Sequence, residues 1–126
     1  MEGRLERLLA DPGAQVFVAE DGGTVVGFAA MAVLRLLERD RPLCRLTSVM
    51  VAPGARGRGV GSALVERVES QASELGCDRV EVTSAIGRED ARAFYTRLGF
   101  EETPRRFVKD LMLAPRTLLT RARRRR

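Results

Sequence analysis

The stretch Arg56-Gly57-Arg58-Gly59-Val60-Gly61 sets three glycines and two guanidinium groups directly ahead of an apolar pattern of helical period. Those residue types suit one kind of chemistry, the binding of an anion. A helix N-terminus leaves several backbone N–H groups unpaired and carries the positive end of the helix dipole, so a phosphate there meets donors that are already oriented. Glycine removes the side chains that would stand between phosphate and backbone, and Arg56 and Arg58 can add charge-assisted hydrogen bonds to a pyrophosphate or a ribose phosphate. The pattern departs from the dinucleotide-binding fingerprint, which wants glycine where Ser62 stands and follows the first strand of its fold rather than the third. It also departs from the nucleoside-triphosphate loop, because no lysine follows the last glycine. A tight turn packed closely against its neighbours, with no ligand, is the alternative.

The elements that must hold this loop are legible from periodicity. Leu5, Leu8 and Leu9 recur at helical spacing within residues 1–10, and Asp11-Pro12-Gly13 ends that helix. Gln15 to Glu20 and Thr24 to Leu37 read as strands joined by an Asp21-Gly22-Gly23 turn, followed by a charged loop from Glu38 to Pro42. Leu43 to Val51 is a third strand and leads into the loop. Val60, Leu64, Val65, Val68, Ala72 and Leu75 then mark one buried face of a helix over 59–75, which Gly76 stops. A strand over Arg79 to Ser84, a helix over Glu89 to Leu98 and short strands at Phe100 to Thr103 and Arg106 to Leu113 complete the series. Three strands in hairpin order, then a strand, helix, strand step, imply an α/β chain with a mixed sheet and one parallel crossover.

Composition narrows the function further. The chain has 126 residues, 44% of them hydrophobic, which suits one domain with a real core. We expect that domain to span 1–113 and residues 114–126 to form a basic tail. The net charge of +5 is a property of that tail, since Arg116, Arg121 and the four arginines 123–126 carry six positive charges and leave −1 for the rest. A nucleic-acid reader is therefore not expected, and polyanion contact would rest on the tail alone. The chain has no His and only Cys44 and Cys77, so Ser-His and Cys-His pairs are excluded and no metal site is expected. No run of 18 or more apolar residues occurs, so no membrane span is expected, and we expect a cytoplasmic protein.

Met50-Val51-Ala52-Pro53-Gly54-Ala55-Arg56-Gly57-Arg58-Gly59-Val60-Gly61-Ser62-Ala63-Leu64 resembles the coenzyme A signature of the GNAT superfamily of N-acyltransferases, whose core is Arg or Gln, two residues, Gly, one residue, then Gly or Ala. Ala91-Arg92-Ala93-Phe94-Tyr95-Thr96-Arg97-Leu98-Gly99-Phe100 is similar to that superfamily's second motif, an Ala followed by a Phe-Tyr pair and a closing Gly-Phe. The two occur in the family's order, separated by a helix and a strand, and the likeness covers about Gln15 to Leu111.

The resemblance implies a mixed, mostly antiparallel sheet with a central splayed parallel pair and flanking helices, lacking the family's usual first strand and first helix. It implies acetyl-CoA as co-substrate, with Arg56, Gly57, Arg58, Gly59, Val60, Gly61 and Ser62 at its phosphates and the backbone of Val49, Met50 and Val51 beside its pantetheine arm. The acetyl group would pass directly to an amine through a tetrahedral intermediate, with no covalent enzyme intermediate. Tyr95, the only tyrosine, matches the family residue that protonates the departing thiolate. Glu81 is a candidate base, and Thr47 or Ser48 could position a water instead. Arg88 stands where the family often has Asn and could reach a phosphate or an acidic acceptor, with Ser84 a further polar contact. The expected function is N-acetylation of a small-molecule or peptide primary amine. The alternatives are a shortened acyl-CoA-binding module without turnover and a polyanion-binding protein acting through its arginine tail. The usual first strand has no counterpart here, so we expect either that the true start lies upstream or that the sheet edge is covered by a partner chain, in a homodimer, or by the tail.

Overall fold

A computed structural model describes residues 2–82, 89–103, 107 and 109–112. The element order is α1 (Glu2–Ala10), β1 (Ala14–Asp21), β2 (Thr24–Leu34), β3 (Leu43–Val51), a 3-10 turn (Pro53–Ala55), α2 (Val60–Glu74), β4 (Val80–Val82) and α3 (Glu89–Arg97). The described strands form one sheet in the order β1-β2-β3-β4. The pairs β1–β2 and β2–β3 are antiparallel, and β3–β4 is parallel through Cys44, Arg45 and Leu46 opposite Val80, Glu81 and Val82. That mixed sheet with flanking helices is the fold class the sequence implies. Among the described residues the parallel pair lies at one end of the sheet rather than at its centre.

Strand alternation and helix periodicity meet in the core. Ala29 and Met31 of β2 and Cys44 and Leu46 of β3 turn to one face, where Leu64, Val65, Val68 and Ala72 of α2 cover them. Residues two apart on a strand and three or four apart on a helix share a face, so these patterns close on each other without a polar group. Side chains such as Val65 and Val68, fully buried, each contribute about 1.5–3 kcal/mol. The Arg67 guanidinium lies 4.9 Å from the centre of the Phe17 ring, fixing the middle of α2 over β1. Gly27 decides how closely α2 approaches. A Cβ there would meet the Met50 carbonyl oxygen at 2.9 Å, Val60 at 3.1 Å and Leu64 at 3.2 Å, so the first turn of α2 sits on bare backbone.

Three expected elements differ. β2 ends at Leu34, not Leu37, because Leu34 is opposite Leu43 and the next partner is Pro42, which has no N–H for a ladder. Leu36 and Leu37 instead enter a turn in which Arg39 N–H donates to the Leu36 carbonyl. Phe100 to Thr103 is not a strand: the Phe100 ring packs edge-on against Tyr95 with centroids 5.5 Å apart. The strand expected over Arg106 to Leu113 is not found at its described residues, since 107, 109 and 110 are irregular and 111–112 form a turn; residues 106, 108 and 113 and the tail 114–126 lie outside the described residues. Among the described residues no helix is long and apolar enough to cross a membrane.

Candidate active site

β3 carries the irregularity from which the site is built. Ala30 is opposite Ser48 while Met31 is opposite Leu46, so Thr47 is an extra residue, a β-bulge. Its hydroxyl donates to the Ala30 carbonyl at 3.1 Å, so toward a water in the cleft it can act only as an acceptor. The bulge changes which backbone groups face outward. Cys44 N–H is directed to Arg79 of the β4 side, and without the bulge the even-numbered residues would continue to face that way. Beyond it, Met50 turns its carbonyl toward Gly27 of β2, and Ala52 N–H bonds Val26. Alternation then turns the N–H and C=O groups of Val49 and Val51 away from β2.

Those groups face a cleft of about 710 Å³, lined by residues 47–51 of β3, by the loop and first turn of α2, and by Asp90, Ala91, Phe94, Tyr95 and Arg97 of α3. Within its lining are Val49, Met50, Val51, Arg56, Gly57, Gly59, Val60, Gly61 and Ser62. Arg56 lies along the strand end, its Nε donating to the Val51 carbonyl at 3.4 Å. Gly57 and Gly59 hold φ of 77° and 80°, a region that L side chains rarely adopt. A Cβ at either would meet nothing within 4 Å, so backbone conformation, not crowding, demands glycine there. Gly59 is the N-cap of α2, with no side-chain capping bond and no acid in the first turn. The positive end of the helix is therefore left for an external anion.

Gly61 serves a different purpose from the one its spacing suggests. A Cβ there would meet Phe94 Cζ at 3.2 Å and Cε1 at 3.3 Å. The glycine loop and the Phe-Tyr pair thus touch, and α3 lies against the first turn of α2. Tyr95 is half-buried between the Phe94 ring, 5.0 Å away, and Phe100. Burial raises its phenol above the ordinary value of 10.0, so the hydroxyl keeps its proton near neutrality.

Tyr95 also lines a second groove, of about 1200 Å³, between β4, the end of α2 and residues 98–103. Glu81 opens into this groove and not into the first cleft. Its Oε2 accepts from Arg45 Nη2 at 3.1 Å across the parallel pair. Arg58 differs from the expectation as well. It is outside the lining of the first cleft, and its Nη2 donates to Asp21 of the β1–β2 hairpin at 2.9 Å. Ser84 and Arg88 lie outside the described residues. Among the described residues no group of three or more Cys, Asp or Glu could hold a metal ion. Gly27 and the bulge at Thr47 went unnoticed in the sequence. Gly27 is a lone glycine inside an apolar run, itself a signal of close backbone approach, whereas Thr47 has no such mark.

With the loop, the bulged strand and the Phe-Tyr pair in one cleft, family comparison is decisive: residues 1–100 match the acetyltransferase (GNAT) family. The chain belongs to the GNAT acetyltransferase family. It is 31% identical over 103 residues to an aminoalkylphosphonate N-acetyltransferase of Salmonella typhimurium, covering 82% of this chain and 67% of that one. It is 36% identical over 88 residues to an uncharacterized N-acetyltransferase of Methanocaldococcus jannaschii, covering 68% of this chain but 38% of the relative. The chain thus spans about two thirds of the first GNAT relative and well under half of the second. The structure of AAC(6')-Iy in complex with the bisubstrate analog CoA-S-monomethyl-acetylneamine superposes with a TM-score of 0.74 at 25% identity, covering 86% of this chain and 76% of that one.

Proposed function

We propose that this GNAT domain, residues 1–113, transfers an acetyl group from acetyl-CoA to a primary amine. The observation that carries the reading is the convergence in one cleft of an uncapped helix N-terminus, outward-facing strand backbone and a protonated tyrosine. The residues suit the donor: two open glycine positions leave room for phosphate against the backbone, and the cleft runs from them along β3 to Tyr95. Bound acetyl-CoA would supply the thioester carbonyl that the amine attacks.

The roles of the chain's own residues follow from their positions. The N–H groups at Val60, Gly61 and Ser62 receive the pyrophosphate, with Arg56 adding charge. Val49 and Val51 present backbone groups to the amide-bearing arm, as a neighbouring strand would. The Tyr95 hydroxyl gives its proton to the departing thiolate sulfur. An alkyl ammonium has a pKa of about 10, so the amine must lose a proton before attack. Glu81 meets Tyr95 only through the second groove, and its engagement with Arg45 makes water the better acceptor of that proton. A coenzyme A complex in the relative AAC(6')-Iy, and an amine-bearing substrate in the name of the Salmonella relative, support the donor and the acceptor class.

The test is release of free thiol from acetyl-CoA across aminoalkylphosphonates, aminoglycosides, polyamines, amino acids and peptide N-termini. The expected result is amine-dependent release, slowed at least about tenfold in kcat by Tyr95→Phe with little change in coenzyme affinity. Coenzyme binding with no release on any amine would make the chain a binding module instead.

A further inference from the structure

The loop carries two guanidinium groups, and they are engaged differently. Arg56 lines the cleft and rests on the end of β3. Arg58, between the two left-handed glycines, turns outward and bonds Asp21. Asp21 closes β1 at the mouth of the Gly22-Gly23 turn, so a carboxylate from a hairpin 37 residues upstream stands at the rim of an anion-binding loop. Both side chains are more than half exposed, at 58% and 57%. An exposed pair of this kind shifts an equilibrium by a factor of only about 1.4 to 5, so it opens readily when a stronger acceptor arrives. A phosphate is such an acceptor, because a guanidinium can bond two of its oxygens at once.

We propose that Asp21 sets the affinity for coenzyme A by holding Arg58 off the phosphates. On binding, the Arg58 guanidinium leaves the Asp21 carboxylate for a phosphate oxygen. This rests on the coenzyme A reading of the loop. Asp21 weakens binding twice, by its own charge beside a polyanion and by occupying a cation, and only the second effect requires Arg58. The acid thereby limits retention of the thiol product as well as capture of the donor.

Calorimetric titration of the full chain with coenzyme A separates these effects. Asp21→Asn is expected to lower Kd about two- to fivefold and to steepen its dependence on salt, because binding no longer has to break an ion pair that salt itself weakens. Asp21→Glu restores the wild-type Kd. Arg58→Gln raises Kd, and in that background Asp21→Asn changes it by less than about 1.5-fold, the low end of what an exposed charge contributes. A parallel titration with 3′-dephospho-coenzyme A names the acceptor: a gain that persists assigns Arg58 to the pyrophosphate, and a gain that vanishes assigns it to the 3′-phosphate. Unchanged or weaker binding by Asp21→Asn overturns the proposal, as does a gain that survives Arg58→Gln, which would be simple repulsion. Melting curves on each variant confirm that the fold is intact. Failure of the wild-type chain to bind coenzyme A would instead overturn the reading of the loop, and this inference with it.

Discussion

Replacing Gly27 with alanine tests whether the seat of α2 on the sheet governs the anion site. The added methyl group would stand 2.9 Å from the Met50 carbonyl oxygen, 3.1 Å from Val60 and 3.2 Å from Leu64. The two side chains can give by a few tenths of an ångström. The carbonyl belongs to paired backbone of β3 and cannot, so β2 or the first turn of α2 must move. Overpacking of this kind costs about 1–3 kcal/mol, against about 0.5–1 kcal/mol regained because alanine loses less backbone freedom than glycine. A net loss of about 1 kcal/mol corresponds, at this chain length, to a fall in Tm of about 3–6 °C. Because Val60 is the first residue of α2, the shift also moves the N–H groups offered to phosphate. Sites of this kind tolerate about 0.5 Å of misplacement, so coenzyme A affinity should fall at least about threefold. Circular dichroism melts and calorimetry on Gly27→Ala read both effects. Gly54→Ala is the control, since a Cβ there meets nothing within 4 Å and its φ lies outside the left-handed region. A Gly27→Ala variant that melts and binds like wild type would refute the reasoning.

Gly59→Asp sets a carboxylate at the uncapped end of α2 at a φ of 80°. The strain of about 1 kcal/mol is partly offset by the favourable charge at the helix end, so Tm should change little while coenzyme A affinity drops at least about tenfold in calorimetry. Unchanged affinity would remove the loop from the phosphate site. Cys44 predicts an alkaline limit. Burial, with Cys77 nearby, raises its thiol from 9.0 to about 11, so the neutral form is favoured in the folded state. The resulting stability is fully present below pH 9 and is lost as pH rises through 11. Denaturant titrations of Cys44→Val should show a shallower decline over that window than wild type; an equal slope would mean that Cys44 contributes nothing to it.

Much of the site was legible because its signals are local. The apolar spacing from Val60 to Leu75 determines a helix face, and the glycines ahead of it mark a turn that only glycine makes easily. What local pattern left undecided depended on partners distant in sequence. Arg58 reads as a phosphate ligand beside Arg56, and it is Asp21 that holds it outward in this structure. Glu81 alternates away from Val80 and Val82 as a strand residue should, yet which groove that face meets depends on α2 and α3, and Arg45 takes it up. Leu36 and Leu37 carry strand-like composition, and Pro42 on the opposite strand denies them a ladder.

The sequence by itself determined the elements from α1 to α3, their order and the glycine-rich turn ahead of α2, since backbone propensity and period are properties of neighbouring residues. Only the tertiary structure decided how those parts form a site. The bulge at Thr47 redirects Val49 and Val51 toward the cleft, Gly27 seats the helix end beside them, and Gly61 brings the Phe94 ring against it. Each is a close approach between separate elements. Such contacts depend on distances of a few tenths of an ångström that no local pattern encodes.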